Sequence, residues 1–473
     1  MLLAGRLQAG THTYPIYSPS TGAHLADVPA ATAADVHDAV TAGEAAAADW
    51  RLVAPAQRAT LLRTIAAVLR TNRAELARLD AMDCGNPVTA MAGDVDQAAE
   101  LLERTADWVA DLGGSAPAAD ADHLHYVVRE PFGVVGRIVP YNHPLMFAAS
   151  KLAAPLLAGN AVVLKAPDQA PLSALRLGEL LLDVVPPGLV SFLSGHGEEV
   201  GPALVGHPSI RRIAFTGSVA TGQRVLQTAA AAGIKSVSLE LGGKNPMVIL
   251  PDADVEAASA GAIAGMNFHW TGGQSCGSTS RLLVHRSLVD EVVERAVAAA
   301  RTIRVGDPLD PSTEMGTMVT PEHRDRVLGY VERGRLEGLR PALGGRAPDG
   351  ERYRNGAFVA PTIFADVPPS SVLAREEIFG PVLAVTPFDD VAEAVAMVNS
   401  SVYGLTASIW TRDLSLAHRT VRQLQAGYVW VNTASRHFVG MPFGGVKDSG
   451  LGREESVEEL HSFTQSKAVT VRL

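Results

Sequence analysis

Residues 211–246 read RRIAFTGSVATGQRVLQTAAAAGIKSVSLELGGKNP. Two short apolar runs, residues 213–215 and 237–239, flank a run of helical character at 222–232. A strand, a returning helix and a second strand make a βαβ unit, and the return places the two strands parallel. The alternation continues toward the N-terminus. Strand-like residues 134–139 precede a helix through Lys151, residues 161–164 precede a helix at 172–182, and residues 190–193 precede a helix at 198–205. Such a series predicts an α/β fold built on a parallel sheet with crossover helices.

Upstream, residues 1–30 hold short extended runs with turn signals at Ser18-Pro19 and Thr21-Gly22. Residues 33–110 are Ala-rich and helical, with Leu61, Leu62, Ile65, Val68 and Leu69 recurring at helical spacing. Residues 112–122, rich in Gly, Ala, Pro and Asp, read as a linker. Downstream, a second α/β stretch spans about 247–458, with helices near 254–266, 288–301 and 391–398. The tail KAVTVRL (467–473) alternates as a strand, to pair with a distant element or with another subunit.

At 473 residues the chain is long enough for two or three domains. It is 47% hydrophobic but only 5% aromatic, so its core rests on Ala, Val, Leu and Ile. The net charge of −10 and the lack of a Lys/Arg cluster argue against a nucleic-acid-binding face. Two cysteines, Cys84 and Cys276, rule out a disulfide framework, and 14 scattered histidines without ligand spacing predict no metal site. The N-terminus lacks an apolar run of signal-peptide length. The apolar stretch 145–164 is broken by Lys151, Pro155, Gly159 and Asn160, so it reads as a buried helix and strand and not as a membrane span. A cytoplasmic location is expected.

Five segments carry chemistry. In Gly272-Gly273-Gln274-Ser275-Cys276 a thiol sits among small residues, open to close approach; a reactive thiolate there needs positive potential or backbone donors, whereas a lone cysteine is more often inert. In residues 239–246, Glu240 ends an apolar strand before a diglycine; desolvation there raises a carboxyl toward a useful general base, the alternative being a strand-end ion pair. Phe215–Gly222 offers a strand, a turn and a helix N-terminus suited to a pyrophosphate through Gly217, Ser218 and Gly222, or simply a Ser-capped helix. Asn142 follows the strand at 134–139 and can donate to an oxyanion. Lys165 and Asp168, at the next strand end, suit ribose hydroxyls. Three of the six lysines, Lys165, Lys244 and Lys447, fall in Gly- or Pro-rich segments of this kind. Cys84, at a probable helix end, reads as structural.

In this order, and with 36 residues between Glu240 and Cys276, the segments resemble the aldehyde dehydrogenase superfamily along essentially the whole chain. Residues 376–382 and 442–450 look like further family segments. The resemblance implies that Cys276 is the nucleophile, Glu240 the general base and Asn142, with the Cys276 N–H, the oxyanion donor. It implies Lys165 and Asp168 at the adenosine ribose, Gly217, Ser218 and Gly222 at the pyrophosphate, and Glu377 and Phe379 at the nicotinamide ribose and ring. A Rossmann-like NAD(P)-binding domain (1–112 and 132–242), a catalytic domain (243–460) and an oligomerisation element (113–131 and 461–473) follow. In that element residues 113–131 would meet the C-terminal strand of a partner subunit, in a homodimer or homotetramer. The cofactor is expected to be NAD, with NADP possible, because Asp168 would repel a 2′-phosphate.

The resemblance also implies a substrate tunnel lined by His143, Phe147, Ser150, Trp270, Ser275, Gly277, Ser435, His437 and Phe443. Its aromatic walls suit a medium-sized apolar or aromatic aldehyde, and Ser150, where bulk is frequent, implies a wide tunnel. A semialdehyde or betaine-aldehyde-type substrate is the alternative. Arg436 reads as a surface salt bridge or else as a semialdehyde carboxylate site. Tyr141, Val219 and Ser278 depart from the common residues at their positions. Glu240 argues against coenzyme A acylation and against reduction of an acyl phosphate, and the intact Cys276, Glu240 and Asn142 argue against a catalytically silent binding protein.

Overall fold

The computed structural model describes residues 1–473. Its first sheet has eight strands, and the parallel centre runs in the order Ser236–Glu240, Arg212–Thr216, Val134–Ile138, Ala161–Lys165, Val190–Leu193. The central strands are buried on both faces, so they read as continuous apolar runs. Helices Ala33–Trp50, Leu172–Leu180, Gly197–Gly206 and Val219–Ala232 cover the faces. The first begins at Thr32, whose hydroxyl accepts the Asp35 N–H while the Asp35 carboxylate accepts that of Thr32. The chain builds outward from Val134–Ile138 in one direction and later returns to its other side with Arg212–Thr216. This reversal opens a crevice at the carboxyl ends of those two strands, where ligands collect in open α/β sheets.

The second sheet has seven strands, ordered Pro341–Leu343, Thr362–Phe364, Val382–Phe388, Arg281–His285, Pro246–Ile249, Thr406–Trp410, Tyr428–Val431, parallel except at its first pair. Glu240 ends the last parallel strand of the first sheet and Pro246 begins the second sheet. The carboxyl end of one sheet is thereby held against the amino end of the other.

Two expected boundaries differ. Residues 450–460, read as part of the second unit, join the first: Gly450–Leu451 pairs antiparallel with Leu239–Glu240, and Leu460 is buried in the first core together with Phe463. The physical reason is ionic as well as apolar, since Glu454 and Glu459 both pair with Arg137 of the central strand. The C-terminal strand Thr464–Arg472 was expected to meet a partner subunit. It pairs instead with His123–Pro131 of its own chain, Thr464 opposite Pro131 and Arg472 opposite His123. The buried Leu460 and Phe463 anchor the turn that aims it there. No helix is long and apolar enough to cross a membrane.

Candidate active site

Cys276 lies in the loop before Arg281–His285, and backbone geometry makes that loop rigid. Asn267, Gly272 and Gly273 all take positive φ. At Gly273 a Cβ would stand 2.4 Å from the Gly380 carbonyl oxygen, so only glycine fits. Gln274 is buried and ties the loop down, donating to the carbonyls of Thr271 and Thr317 and accepting the Val319 N–H. Asn245 donates to the carbonyls of Cys276 (2.6 Å) and Ser278 (3.0 Å) and accepts the Thr406 N–H. It thereby fixes the cysteine to two strands of the second sheet. Ser278 is buried and donates to the Met266 carbonyl.

The first sheet brings Glu240 and Asn142 to the same cavity as Cys276. Both Glu240 carboxylate oxygens are buried without a hydrogen bond. Burial, then the charge of Glu454, pushes this carboxyl well above its ordinary value. Gly444 makes room for it: a Cβ there would lie 2.6 Å from Glu240 Oε1. Asn142 is held through its main-chain carbonyl, which accepts from Asn86 at 2.8 Å, and the residue lines the cavity. The Cys276 N–H donates to nothing in the chain. The Asn142 amide and the Cys276 N–H are thus both carried by residues that line this cavity. The thiol does not sit in the positive potential that the sequence reading called for. Burial, with Glu240 next, pushes it up to about 12, against a smaller opposing effect of the Gly277 N–H.

The cavity around Cys276 offers only about 40 Å³ of free space. Of the nine residues expected along a tunnel, His143, Phe147, Trp270, Ser275, Gly277, Ser435, His437 and Phe443 line it. Ser150 does not. Its hydroxyl folds back onto the Met146 carbonyl at 2.6 Å, while His143, Phe147 and Lys151, four residues apart, present the facing edge. The wide tunnel inferred from Ser150 is therefore replaced by a narrow chamber. Gln97, Trp270, Ser435 and His437 also border an outer basin of about 1040 Å³. Arg436 lines that basin without an ion pair, its guanidinium 6.0 Å from the Phe438 ring centre, which corrects the surface salt bridge.

The residues expected at a dinucleotide occupy the crevice side of the first sheet. Lys165 is ion-paired with Asp168, which also accepts the Gly197 N–H at 2.8 Å. Ser218 caps helix Val219–Ala232 by accepting the Thr221 N–H, and the N–H groups of Val219 and Ala220 have no partner in the chain. Gly222 lets this helix approach Leu241, whose side chain would lie 2.7 Å from a Cβ. Gly217 N–H donates to the Glu240 carbonyl, tying the turn to the end of strand Ser236–Glu240. Glu377 accepts the Gly243 N–H at 3.0 Å, and burial lifts its carboxyl to about 7. Phe379, at φ 58°, meets Tyr141 edge-on at 6.0 Å. A paired Lys and Asp at one strand end and free N–H groups at a helix start fit a dinucleotide's ribose and pyrophosphate.

The chain matches the model of the aldehyde dehydrogenase family over residues 7–469. It belongs to that family. It is 46% identical to aldehyde dehydrogenase tropH of Talaromyces stipitatus, covering 96% of this chain and 89% of the relative. It is 41% identical to peroxisomal aminoaldehyde dehydrogenase 2 of Pisum sativum, covering 96% and 92%. Among solved structures, an indole-3-acetaldehyde dehydrogenase of P. syringae in complex with NAD+ and IAA superposes with a TM-score of 0.97 at 37% identity, covering 100% of this chain and 96% of that one.

Several members of this aldehyde dehydrogenase site were not singled out from the sequence. Asp94, on helix Val88–Asp107, is fully buried and accepts from His143 and Trp270. Its signal was available, because Met91, Asp94, Val95 and Ala98 share one buried helical face on which a carboxylate is out of place. Lys151 ion-pairs with Glu454 at 2.6 Å in the cavity wall, and no local pattern links residues so far apart. Of the other lysines noted, Lys244 is buried without a partner and is pushed down to about 7 by burial, while Lys447 donates to the carbonyls of Asn399 and Ser401.

Proposed function

We propose that this aldehyde dehydrogenase oxidises an aldehyde to its carboxylic acid with NAD+, through a thioester on Cys276, and that it does so as a homo-oligomer. One observation carries the reading: Cys276, Glu240 and Asn142, from separate elements, line a single chamber, and the Cys276 N–H has no partner in the chain. The Cys276 thiol gives its proton to solvent, and the sulfur adds to the carbonyl carbon. The Asn142 amide and the Cys276 N–H receive the resulting oxyanion. NAD+, when bound, accepts the hydride released as the thiohemiacetal becomes a thioester. Glu240 then takes a proton from the water that attacks the thioester, and the acid departs as Cys276 is restored.

The side chains available to hold NAD+ are Lys165, Asp168, Ser218, Glu377 and Phe379. Asp168 places a carboxylate where a 2′-phosphate would be repelled, which favours NAD+ over NADP+, and solved relatives bound to NAD+ support the same choice. The aromatic walls of Phe147, Trp270 and Phe443 suit a medium-sized apolar or aromatic aldehyde.

The test is cofactor reduction by purified protein across aliphatic, aromatic, amino- and semialdehydes, with both cofactors. Turnover with NAD+ above NADP+ is expected, Cys276→Ser should abolish it, and Glu240→Gln should retain a single-turnover burst without steady release. No reduction of either cofactor by any aldehyde sinks the proposal, and a normal steady rate for Glu240→Gln removes the base assignment.

A further inference from the structure

Phe147, Trp270 and Phe443 give the chamber its apolar wall, and among the polar residues beside them His143 is held by a buried carboxylate. His143 donates from Nδ1 to Asp94 Oδ2 at 2.8 Å, and Trp270 donates its indole N–H to Asp94 Oδ1 at 2.6 Å. Asp94 is buried to 0% exposure and receives one N–H on each oxygen. The imidazole is further wedged edge-on between Trp270, at 4.7 Å between ring centres, and Phe147, at 5.7 Å. Both of these aromatic neighbours also line the chamber.

An ionised carboxylate only accepts, and an indole N–H only donates. With Trp270 engaging Oδ1, the ring proton of neutral His143 belongs on Nδ1, facing Oδ2. The lone pair then falls on Nε2, since the ring's hydrogen bond to the protein is made at Nδ1, and His143 lines the chamber. A fixed acceptor in a narrow chamber discriminates strongly, because a substrate without a matching donor leaves it desolvated and unpaired.

We propose that Asp94 and His143 form a specificity pair that selects aldehydes bearing a hydroxyl group, which donates its hydrogen to His143 Nε2. Asp94 is the positioning residue, fixing the tautomer without touching substrate, and His143 is the contact. This rests on the proposed aldehyde oxidation in the same chamber and names its substrate class. Ser435 donates its hydroxyl hydrogen to Asn267 Oδ1 at 2.7 Å, so its oxygen is a weaker, neutral rival acceptor, and Ser435→Ala should leave the ratio as in wild type. His437 is the rival contact, as its Nδ1 pairs with Glu455 at 3.1 Å and leaves its own Nε2 free.

The experiment uses the full-length protein with NAD+ and the 2-, 3- and 4-hydroxybenzaldehydes, each against its methoxy counterpart, with benzaldehyde and unsubstituted aliphatic aldehydes alongside. A methoxy group accepts but cannot donate, so the ratio of kcat/KM, hydroxy over methoxy, reads the acceptor. Wild type is expected to favour one hydroxy isomer by about ten-fold, the effect of one buried hydrogen bond, mainly through KM. His143→Phe should bring that ratio to near one. Asp94→Asn keeps the shape but offers an N–H to Nδ1, which reverses the tautomer and lowers the ratio without resizing the chamber. His437→Phe should leave the ratio as in wild type.

A wild-type ratio near one, or turnover of unsubstituted but no hydroxylated aldehydes, overturns the proposal. So does a ratio that survives His143→Phe or moves only with His437→Phe. An equal fall for every substrate marks a merely structural pair and also overturns it. If Asp94→Asn does not fold, His143→Phe decides alone. Failure of wild type to oxidise any aldehyde is a separate result, and it counts against the proposed function.

Discussion

Cys276 rests as a thiol, because burial and the neighbouring Glu240 push its ionisation up to about 12. A nucleophile held neutral until its substrate is in place is protected from adventitious oxidation, since the thiolate is the reactive form. The direction of the shift sets a test. Alkylation of cofactor-free protein by iodoacetamide, followed by mass spectrometry at Cys276, should rise with pH and show no plateau by about pH 10, one to two units above the pKa of a free thiol, where such a thiol has levelled off. A plateau near pH 8 would mean that Cys276 is ionised by a feature other than those described. Cys84 is the internal control: it is 1% exposed and its thiol is also raised by burial, so it should stay unmodified until the protein unfolds. The resemblance picked out Cys276 over Cys84, but its protonation state belongs to neighbours that the fold supplies.

A buried ionic cluster, two of whose members line the chamber, fastens a strand and two helical segments together. Arg137 comes from the central strand, Lys151 from the end of the helix after Asn142, and Glu454 and Glu459 from the C-terminal segment. Burial opposes the charge on Glu454, but Lys151 and Arg137 outweigh it and hold the carboxyl at about 2, below its ordinary 4.5. A folded-state value below the unfolded one stabilises the protein above about pH 4.5 and loses that contribution as pH falls toward 2. Glu454→Gln leaves Lys151 and one side of Arg137 uncompensated, a cost of about 3–5 kcal/mol. It should lower the urea midpoint at neutral pH and flatten the acid limb of stability; an unchanged midpoint refutes the cluster's role. Elements were legible where apolar period was strong, as in the five parallel strands of the first sheet. Helix Pro321–Leu336 escaped notice because it buries little beyond Val327, Val331 and Gly334. Ser150 was misplaced because its hydroxyl can bond its own helix, which sequence position alone does not reveal.

The two-stranded ribbon of His123–Pro131 and Thr464–Arg472 stands apart from both large sheets. It leaves Leu124, Tyr126 and Val471 exposed, at 46%, 36% and 39%. A ribbon with open edges and exposed apolar side chains is a pairing surface unless another chain covers it. The proposed homo-oligomer should therefore depend on it. Light scattering after size exclusion should give at least a dimer for the full chain and a monomer for Leu124→Glu/Val471→Glu, with circular dichroism unchanged. A monomeric full-length chain rejects the oligomer, and an assembly indifferent to both charges places its interface elsewhere.

The sequence by itself determined the parallel sheet, the family resemblance and the identity of Cys276, Glu240 and Asn142 as the residues to watch. Each is announced by a local pattern: apolar period, a glycine-flanked thiol, a carboxylate ending an apolar strand. Only the tertiary structure decided what surrounds them. Asp94 meets His143 and Trp270 from positions 49 and 176 residues distant, and Glu454 meets Arg137 from 317 residues away. A side chain's charge and reach are written at its own position, but its desolvation and its partners are properties of the packed chain. Those decide whether a thiol is ionised, which imidazole nitrogen faces the substrate, and how wide the chamber is.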